Sequence, residues 1–274
     1  MNPEIDNFQE EVPSAVTPVV RIDVVTIFPE LFEPFVRTSI VGRAVAKGLA
    51  SIQVHNLRDY ACDRHKTVDD YPYGGGAGMV MRVEPFHRCL AAIRPFPDPG
   101  VRTVLFSARG ELYDHDKAQE LGACQRLILL CGHYKGVDER VAGLADDEVS
   151  VGDFVLSGGE CAAMVVIDSI VRLIPGSVGD YQSVQDDSHF DRLLSAPEYT
   201  RPAEFDGVAV PPVLLTGDHA RINEWRREQA LEITRRRRPD LYRRYMESLQ
   251  EQTKTWPQGI QERGPRSRPV TEES

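Results

Sequence analysis

Four short apolar runs, each about one strand long, constrain this chain more than any other feature. They are "RIDVVTIF" (21–28), "SIQVHNL" (51–57), "VRTVLFS" (101–107) and "RLILLC" (126–131), and the last three follow helix-like stretches. Runs of this kind read as strands buried in a sheet. Strands interleaved with helices predict an α/β domain with a mainly parallel sheet. A fifth run, "GECAAMVVIDSIVRLI" (159–174), is long enough for a mostly buried helix. None reaches the roughly 18 apolar residues of a membrane span.

The ends and the second half have a different texture. Residues 1–20 carry Glu4, Asp6, Glu10 and Glu11 and no Lys or Arg, which predicts a disordered acidic extension. That charge is the wrong sign for a secretory or transit peptide, so a cytoplasmic protein is expected. Residues 251–274 read as a disordered tail, and the stretch after Pro175 as a linker with some local order. The segment 218–249 predicts one or two amphipathic basic helices, with Asp218 as N-cap and a break or restart at Pro239. The net charge of −10 argues against a nucleic-acid partner until its distribution is considered. From Arg221 to Arg244 nine Arg face Glu224, Glu228, Glu232 and Asp240, a local excess of +5 that suits phosphate as well as a solvated helix face. Five scattered cysteines with no C-x-x-C pair suggest neither a disulfide framework nor a zinc site, and predict reduced, mostly buried thiols.

Three glycine-bearing stretches sit in loops near strand ends. "VDDYPYGGGAGMVM" (68–81) packs four glycines into Gly74–Gly78, yet lacks the Gly-Lys-Ser/Thr of a P-loop and does not open a helix as a dinucleotide fingerprint does. "CGHYKGVDER" (131–140) follows an apolar run directly, at the strand end where parallel sheets bind ligands. "SVGDFVLSGGECAAM" (150–164) leads through Gly158 and Gly159 into the long helix. A tight turn alone would need one or two glycines rather than the four of the first stretch; the second is a weak ligand signal by itself, and a helix entry packed tightly on the sheet would also account for the third.

In order along the chain, "TIFPELF", "GRAVAKGL", "DRHKTVDDYPYGGGAGMVM", "CGHYKGVDERV", "SVGDFVLSGGE", "YTRP", "VPPVLLTGDHARINEWR" and "RRRRPDL" resemble the bacterial tRNA (guanine-N1)-methyltransferases of the SPOUT superfamily, from about Arg21 to about Leu249. The resemblance implies methyl transfer from S-adenosylmethionine to N1 of the tRNA guanine at position 37, next to the anticodon. It implies an α/β domain whose C-terminal part forms a deep trefoil knot, then a linker and a small helical domain, in a homodimer with active sites at the subunit interface. The corresponding divisions are 21–178 for the methyltransferase domain, 179–194 for the linker and 195–250 for a tRNA-binding domain.

It also assigns residues. Donor-binding loops fall at 106–110, 131–136 and 150–162, with Phe106, Ser107 and Ala108 on one wall, Gly132, Tyr134 and Gly136 on the second, and Val151, Gly152, Phe154, Leu156, Gly158, Gly159 and Ala162 on the third. Asp187 matches the general base and Arg172 the donor to guanine O6. The tRNA is assigned to Arg43, Tyr73, Gly74, Gly75, Arg201, His219, Arg221 and Arg226, with the glycine loop lying against a flipped-out base. Magnesium is implied as well. The chain departs from the common pattern at His133 and Lys135, where Arg and Glu are usual, at Ser195, acidic in some members, and at Ala77, Ala108 and Ala162, which replace frequent prolines.

Overall fold

The computed structural model describes residues 19–96, 98–179 and 187–255, so the expectations for 1–18, for 180–186 of the linker and for 256–274 lie outside the described residues. The chain divides into two compact units, Met1–Val184 and Gln185–Ser274.

The first unit is built on a five-stranded parallel sheet in the order β2-β1-β6-β5-β7, formed by β1 (Val20–Thr26), β2 (Ala50–Asn56), β5 (Val101–Leu112), β6 (Arg126–Leu130) and β7 (Asp147–Ser150). Two further strands, β3 (Asp69–Asp70) and β4 (Val80–Met81), make a small antiparallel pair. The helices are α1 (Phe32–Phe35), α2 (Ser39–Ala46), α3 (Val83–Ile93), α4 (His115–Gly122), α5 (Glu139–Ala142) and α6 (Glu160–Leu173). Because side chains alternate across a strand, β6 sends Leu127 and Leu129 into one core and Ile128 and Leu130 into the other. The first core is closed by α2 and α6 through Val41, Ala44, Ala163, Val166 and Ile170. The second is closed by Phe86 and Cys89 of α3 with Met81. Both faces of the sheet are therefore covered, which explains why its inner strands read as unbroken apolar runs.

One charge interrupts the pattern. Asp23, in the middle of β1, is 1% exposed and accepts from Arg126 Nε at 2.6 Å, with His55 Nε2 also at 2.6 Å. Burial alone would raise its pKa, but the bonds from His55 and Arg126 outweigh it and hold the carboxyl below its ordinary value.

The four expected strands are present, each preceded where expected by a helix. β7 is additional, and β5 runs to Leu112 rather than ending near residue 107. Its pairing with β7 shifts register, so that Val149 faces both Phe106 and Glu111 while the residues between them are thrown out of the ladder. Among the cysteines, Cys89 and Cys131 are buried, Cys124 is half-buried, and Cys62 and Cys161 are exposed, all as free thiols. The expectation of mostly buried thiols therefore holds for only part of the set.

In the second unit a two-stranded hairpin, β8 (Glu204–Phe205) with β9 (Val208–Ala209), turns through Asp206 and Gly207, both at positive φ as this tight turn requires. Two helices follow, α7 (His219–Arg237) and α8 (Pro239–Thr255). Asp218 caps α7 by accepting from the Arg221 amide at 3.2 Å, and Pro239 occupies the first position of α8. The helix runs five residues past 250, where the tail was expected to begin. α7 is less amphipathic than expected. Only Ile222 and Thr234 are buried on it, and Thr234 Oγ1 accepts from the Leu194 amide at 2.8 Å.

Candidate functional site

At the carboxyl edge of the sheet two loops leave β6 and β7, and between those strands β5 breaks its ladder with β7 over residues 107–110. In parallel α/β sheets this edge is where ligands bind. The first wall, 106–110, lies within β5 and begins at Phe106, which is 7% exposed; it includes Ser107 and Ala108, and the Ser107 hydroxyl accepts from the Arg109 amide at 3.1 Å. Gly110 closes this wall against the next strand, since a Cβ there would collide with the backbone of Glu148 and Val149. The second wall, 131–136, leaves β6. Gly132 is buried, Tyr134 is exposed with φ 61, and Gly136 has φ 116 with nothing within 4 Å of a Cβ position. The third, 151–159, leaves β7 with Val151 and Gly152 half-buried, Phe154 and Leu156 exposed, and Gly158 and Gly159 leading into α6.

The second and third walls are joined. His133 and Gly158 form an antiparallel bridge, and the Gly159 amide donates to the Gly132 carbonyl at 2.8 Å. Glycine is required at both joining positions. A Cβ on Gly159 would stand 2.8 Å from Cys131 Cα, and one on Gly158 would collide with Glu160 and His133. Ala162, 4% exposed in the next turn of α6, packs into the core. Burial pushes the Cys131 thiol well above its ordinary pKa, with the nearby Glu160 carboxylate adding to the rise, which makes it a packing group.

The glycine run 74–78 attaches to the second wall through backbone bonds, Lys135 amide to Met79 carbonyl at 3.1 Å and Met81 amide to Gly136 carbonyl at 3.0 Å. Gly74, Gly75, Gly76 and Gly78 all have positive φ, between 77° and 111°. Glycine is therefore needed there for backbone conformation. Only Gly78 is also crowded, by the Lys135 side chain, whose Cγ and Cδ lie 2.8 Å from a Cβ position. The loop is open, and the Tyr73 side chain beside it is fully exposed.

Arg43 projects from α2 and lines, with Arg37, Ser39, Gly42 and Ala46, a shallow depression of about 420 Å³. Arg172 is half-buried in the last turn of α6, and its carbonyl accepts from Ser177 Oγ at 3.4 Å. It stands about 18 Å along the helix from Glu160, at 1.5 Å per residue, and so at the far end from the joined walls. Asp187, Arg201, His219, Arg221 and Arg226 belong to the second unit and are all exposed.

The residues in the first unit fit a nucleoside-bearing donor. Gly136 leaves open space where a Cβ would stand, and the exposed rings of Tyr134 and Phe154 offer flat apolar surface to a base. Magnesium finds no such fit. Lys135 carries an ammonium where the resemblance calls for a carboxylate, and Ser195 Oγ is bonded to Ser188 Oγ at 2.9 Å. Among the described residues no group of three or more His, Cys, Asp or Glu could hold a metal ion.

The sequence profile of the tRNA (guanine-1)-methyltransferase TrmD family matches residues 20–244. The chain belongs to this family. Among its relatives is a protein named tRNA (guanine-N(1)-)-methyltransferase from Geobacter sulfurreducens, 54% identical over 222 residues, covering 81% of this chain and 90% of the relative. Proteins of the same name from Chloroflexus aggregans and Desulfitobacterium hafniense are each 50% identical, over 82% and 81% of this chain and 88% and 84% of their own lengths. Family membership makes the chain an enzyme that methylates guanine N1 in tRNA, with S-adenosylmethionine as the donor.

Sequence reasoning missed the contacts beneath the walls. Thr26 Oγ1 donates to Glu160 Oε1 at 2.8 Å across 134 residues, and Met81 Sδ accepts from the His133 amide at 3.1 Å. The one available signal was an acidic residue in the first turn of the long helix.

Proposed function

We propose that the guanine methylated is the one at tRNA position 37, that the three-walled pocket holds the donor, and that Asp187 and Arg172 carry the chemistry. The observation that carries the pocket assignment is the joining of two glycine-bearing loops, from β6 and β7, through the Gly159 amide and the Gly132 carbonyl, with the broken ladder of β5 between their strands. When bound, S-adenosylmethionine supplies a methyl group that its sulfonium makes electrophilic. The barrier left to the protein is the proton on guanine N1. The Asp187 carboxylate takes that proton as the N–C bond forms and the S–C bond breaks. Arg172 donates to guanine O6, where negative charge accumulates as N1 loses its proton.

The distance between Arg172 and the joined walls supports a homodimer in which one subunit completes the other's site. So does exposed apolar surface on the first unit, Phe154, Val155 and Leu156 on the third wall and Val165 on α6, with Val155 90% exposed. The same loops are those assigned to a trefoil knot. The working division remains 21–178 for the methyltransferase domain, 179–194 for the linker and 195–250 for a helical tRNA-binding domain, in a cytoplasmic protein. Exposed Arg201, His219, Arg221 and Arg226 suit phosphates of the anticodon arm, while Arg43, Tyr73, Gly74 and Gly75 suit nucleotides near the target.

The test is methyl transfer from labelled donor to unmodified tRNA with guanine at position 37, wild type beside Asp187→Ala and Arg172→Ala. Both variants should bind S-adenosylhomocysteine normally and lose turnover. Wild-type turnover in Asp187→Ala would remove it as the base. Mixing Asp187→Ala with a donor-pocket variant such as Gly159→Ala should recover activity that neither protein shows alone; no recovery would argue for sites confined to one subunit.

A further inference from the structure

A buried carboxylate lies under the joint between the second and third walls. Glu160 opens α6 and is only 4% exposed. Its Oε1 accepts from Thr26 Oγ1 at 2.8 Å, and Thr26 Oγ1 accepts in turn from the Phe28 amide at 2.9 Å. Its Oε2 stands 3.9 Å from Nδ1 of His133. That separation is too long for a hydrogen bond. Nδ1 is nonetheless buried, with no hydrogen-bond partner among the described residues. The imidazole is held edge-on against Phe28, with ring centres 5.0 Å apart, and against Tyr134 at 4.9 Å. Gly158 passes between the two groups, and a side chain there would strike both Oε2 and Nδ1. Leaving a buried nitrogen unpaired is costly, and an inward movement of about an ångström would pair it.

We propose that Glu160 and His133 are positioning residues for the methyl donor. With the donor seated, His133 donates Nδ1–H to Glu160 Oε2, and the 3.9 Å separation is the slack this takes up. The carboxylate then ties the second wall to the third through its own helix, and to β1 through Thr26. Neither residue touches the reacting atoms. Their effect is on the shape and affinity of the pocket. The inference rests on reading these loops as the donor site.

The experiment titrates S-adenosylhomocysteine calorimetrically into the full chain and three variants, His133→Phe, His133→Asn and Glu160→Gln, and records melting temperatures without ligand. Phenylalanine keeps a ring between Phe28 and Tyr134 but removes the nitrogen; asparagine keeps an N–H near the place of Nδ1. His133→Phe and Glu160→Gln should each bind about tenfold more weakly, which is about 1.4 kcal/mol. His133→Asn should retain most of the affinity. His133→Phe should melt at or above the wild-type temperature, because it discards an unpaired buried nitrogen. A purely structural role would instead lower melting temperature and affinity together. Undiminished affinity in His133→Phe overturns the proposal, as does an affinity loss matched by lost stability or an Asn variant as weak as the Phe one. Hydrogen exchange on the wild type separates the two readings. Binding that leaves the 131–136 amides unprotected defeats the donor-site assignment itself; protection there with unchanged His133→Phe affinity defeats only this inference.

Discussion

Replacing Gly159 by Ala should separate the two joined walls. The residue has ordinary helical dihedrals, φ −77° and ψ −8°, so alanine meets no backbone strain of its own. Its Cβ would stand 2.8 Å from Cys131 Cα and 3.1 Å from the Gly132 nitrogen. These are backbone atoms that no rotamer change can move, so either α6 or the 131–132 segment must shift. Such overpacking costs about 1–3 kcal/mol. The shift also stretches the 2.8 Å bond from the Gly159 amide to the Gly132 carbonyl, worth about 0.5–1.5 kcal/mol. Together these give roughly 2–4 kcal/mol. At about 2–4 °C per kcal/mol, the melting temperature should fall by roughly 5–15 °C. Gly143→Ala is the matched control. Gly143 also has a helical conformation, and its Cβ would meet only the Arg140 carbonyl oxygen, at an ordinary 3.5 Å. That change should stay within about 0.5 kcal/mol of wild type. Thermal unfolding of both variants decides the matter. Gly159→Ala melting within about 2 °C of Gly143→Ala would refute the claim that these walls are packed backbone to backbone.

Asp23→Asn should destabilise the chain by roughly 3–5 kcal/mol in chemical denaturation, because it leaves Arg126 buried against a neutral partner. The folded-state pKa of Asp23 is lowered, so its contribution is present above the unfolded value of about 3.9 and lost as pH falls through the folded value. Acid unfolding below about pH 4 should therefore be shallower in Asp23→Asn, and an unchanged pH slope would contradict the assignment. Arg221→Ala and Arg226→Ala should each weaken tRNA binding with little effect on donor affinity and reduce the logarithmic salt slope by about one; a slope identical to wild type would remove that arginine from the interface.

The sheet was largely legible because strands covered on both faces must be apolar throughout, as Leu127 to Leu130 are. β7 was not, because it reads "DEVS". Its Asp147 is tolerated through long-range partners, Lys117 Nζ at 3.0 Å and Arg102 Nε at 2.9 Å, which no local pattern announces. The extension of β5 through polar residues to Leu112 escaped for a similar reason, being set by pairing to β7. Glycines marked the loops correctly but not their cause. At Gly74, Gly75 and Gly76 the requirement is positive φ; at Gly158 and Gly159 it is a close approach. Asp187 and Arg172 carried no local signal and were reached only through the ordered motifs. The Glu160, Thr26 and His133 cluster joins residues up to 134 apart, and only the fold brings it together.

The measurement that bears most directly on the central claim is nucleoside mass spectrometry of tRNA treated with the purified protein and S-adenosylmethionine. Two substrates are needed, one with guanine at position 37 and one with that base replaced by adenine. The account predicts N1-methylguanosine in the first, confined to position 37, and no methylated nucleoside in the second. A different methylated nucleoside, or N1-methylguanosine at another position, would contradict it.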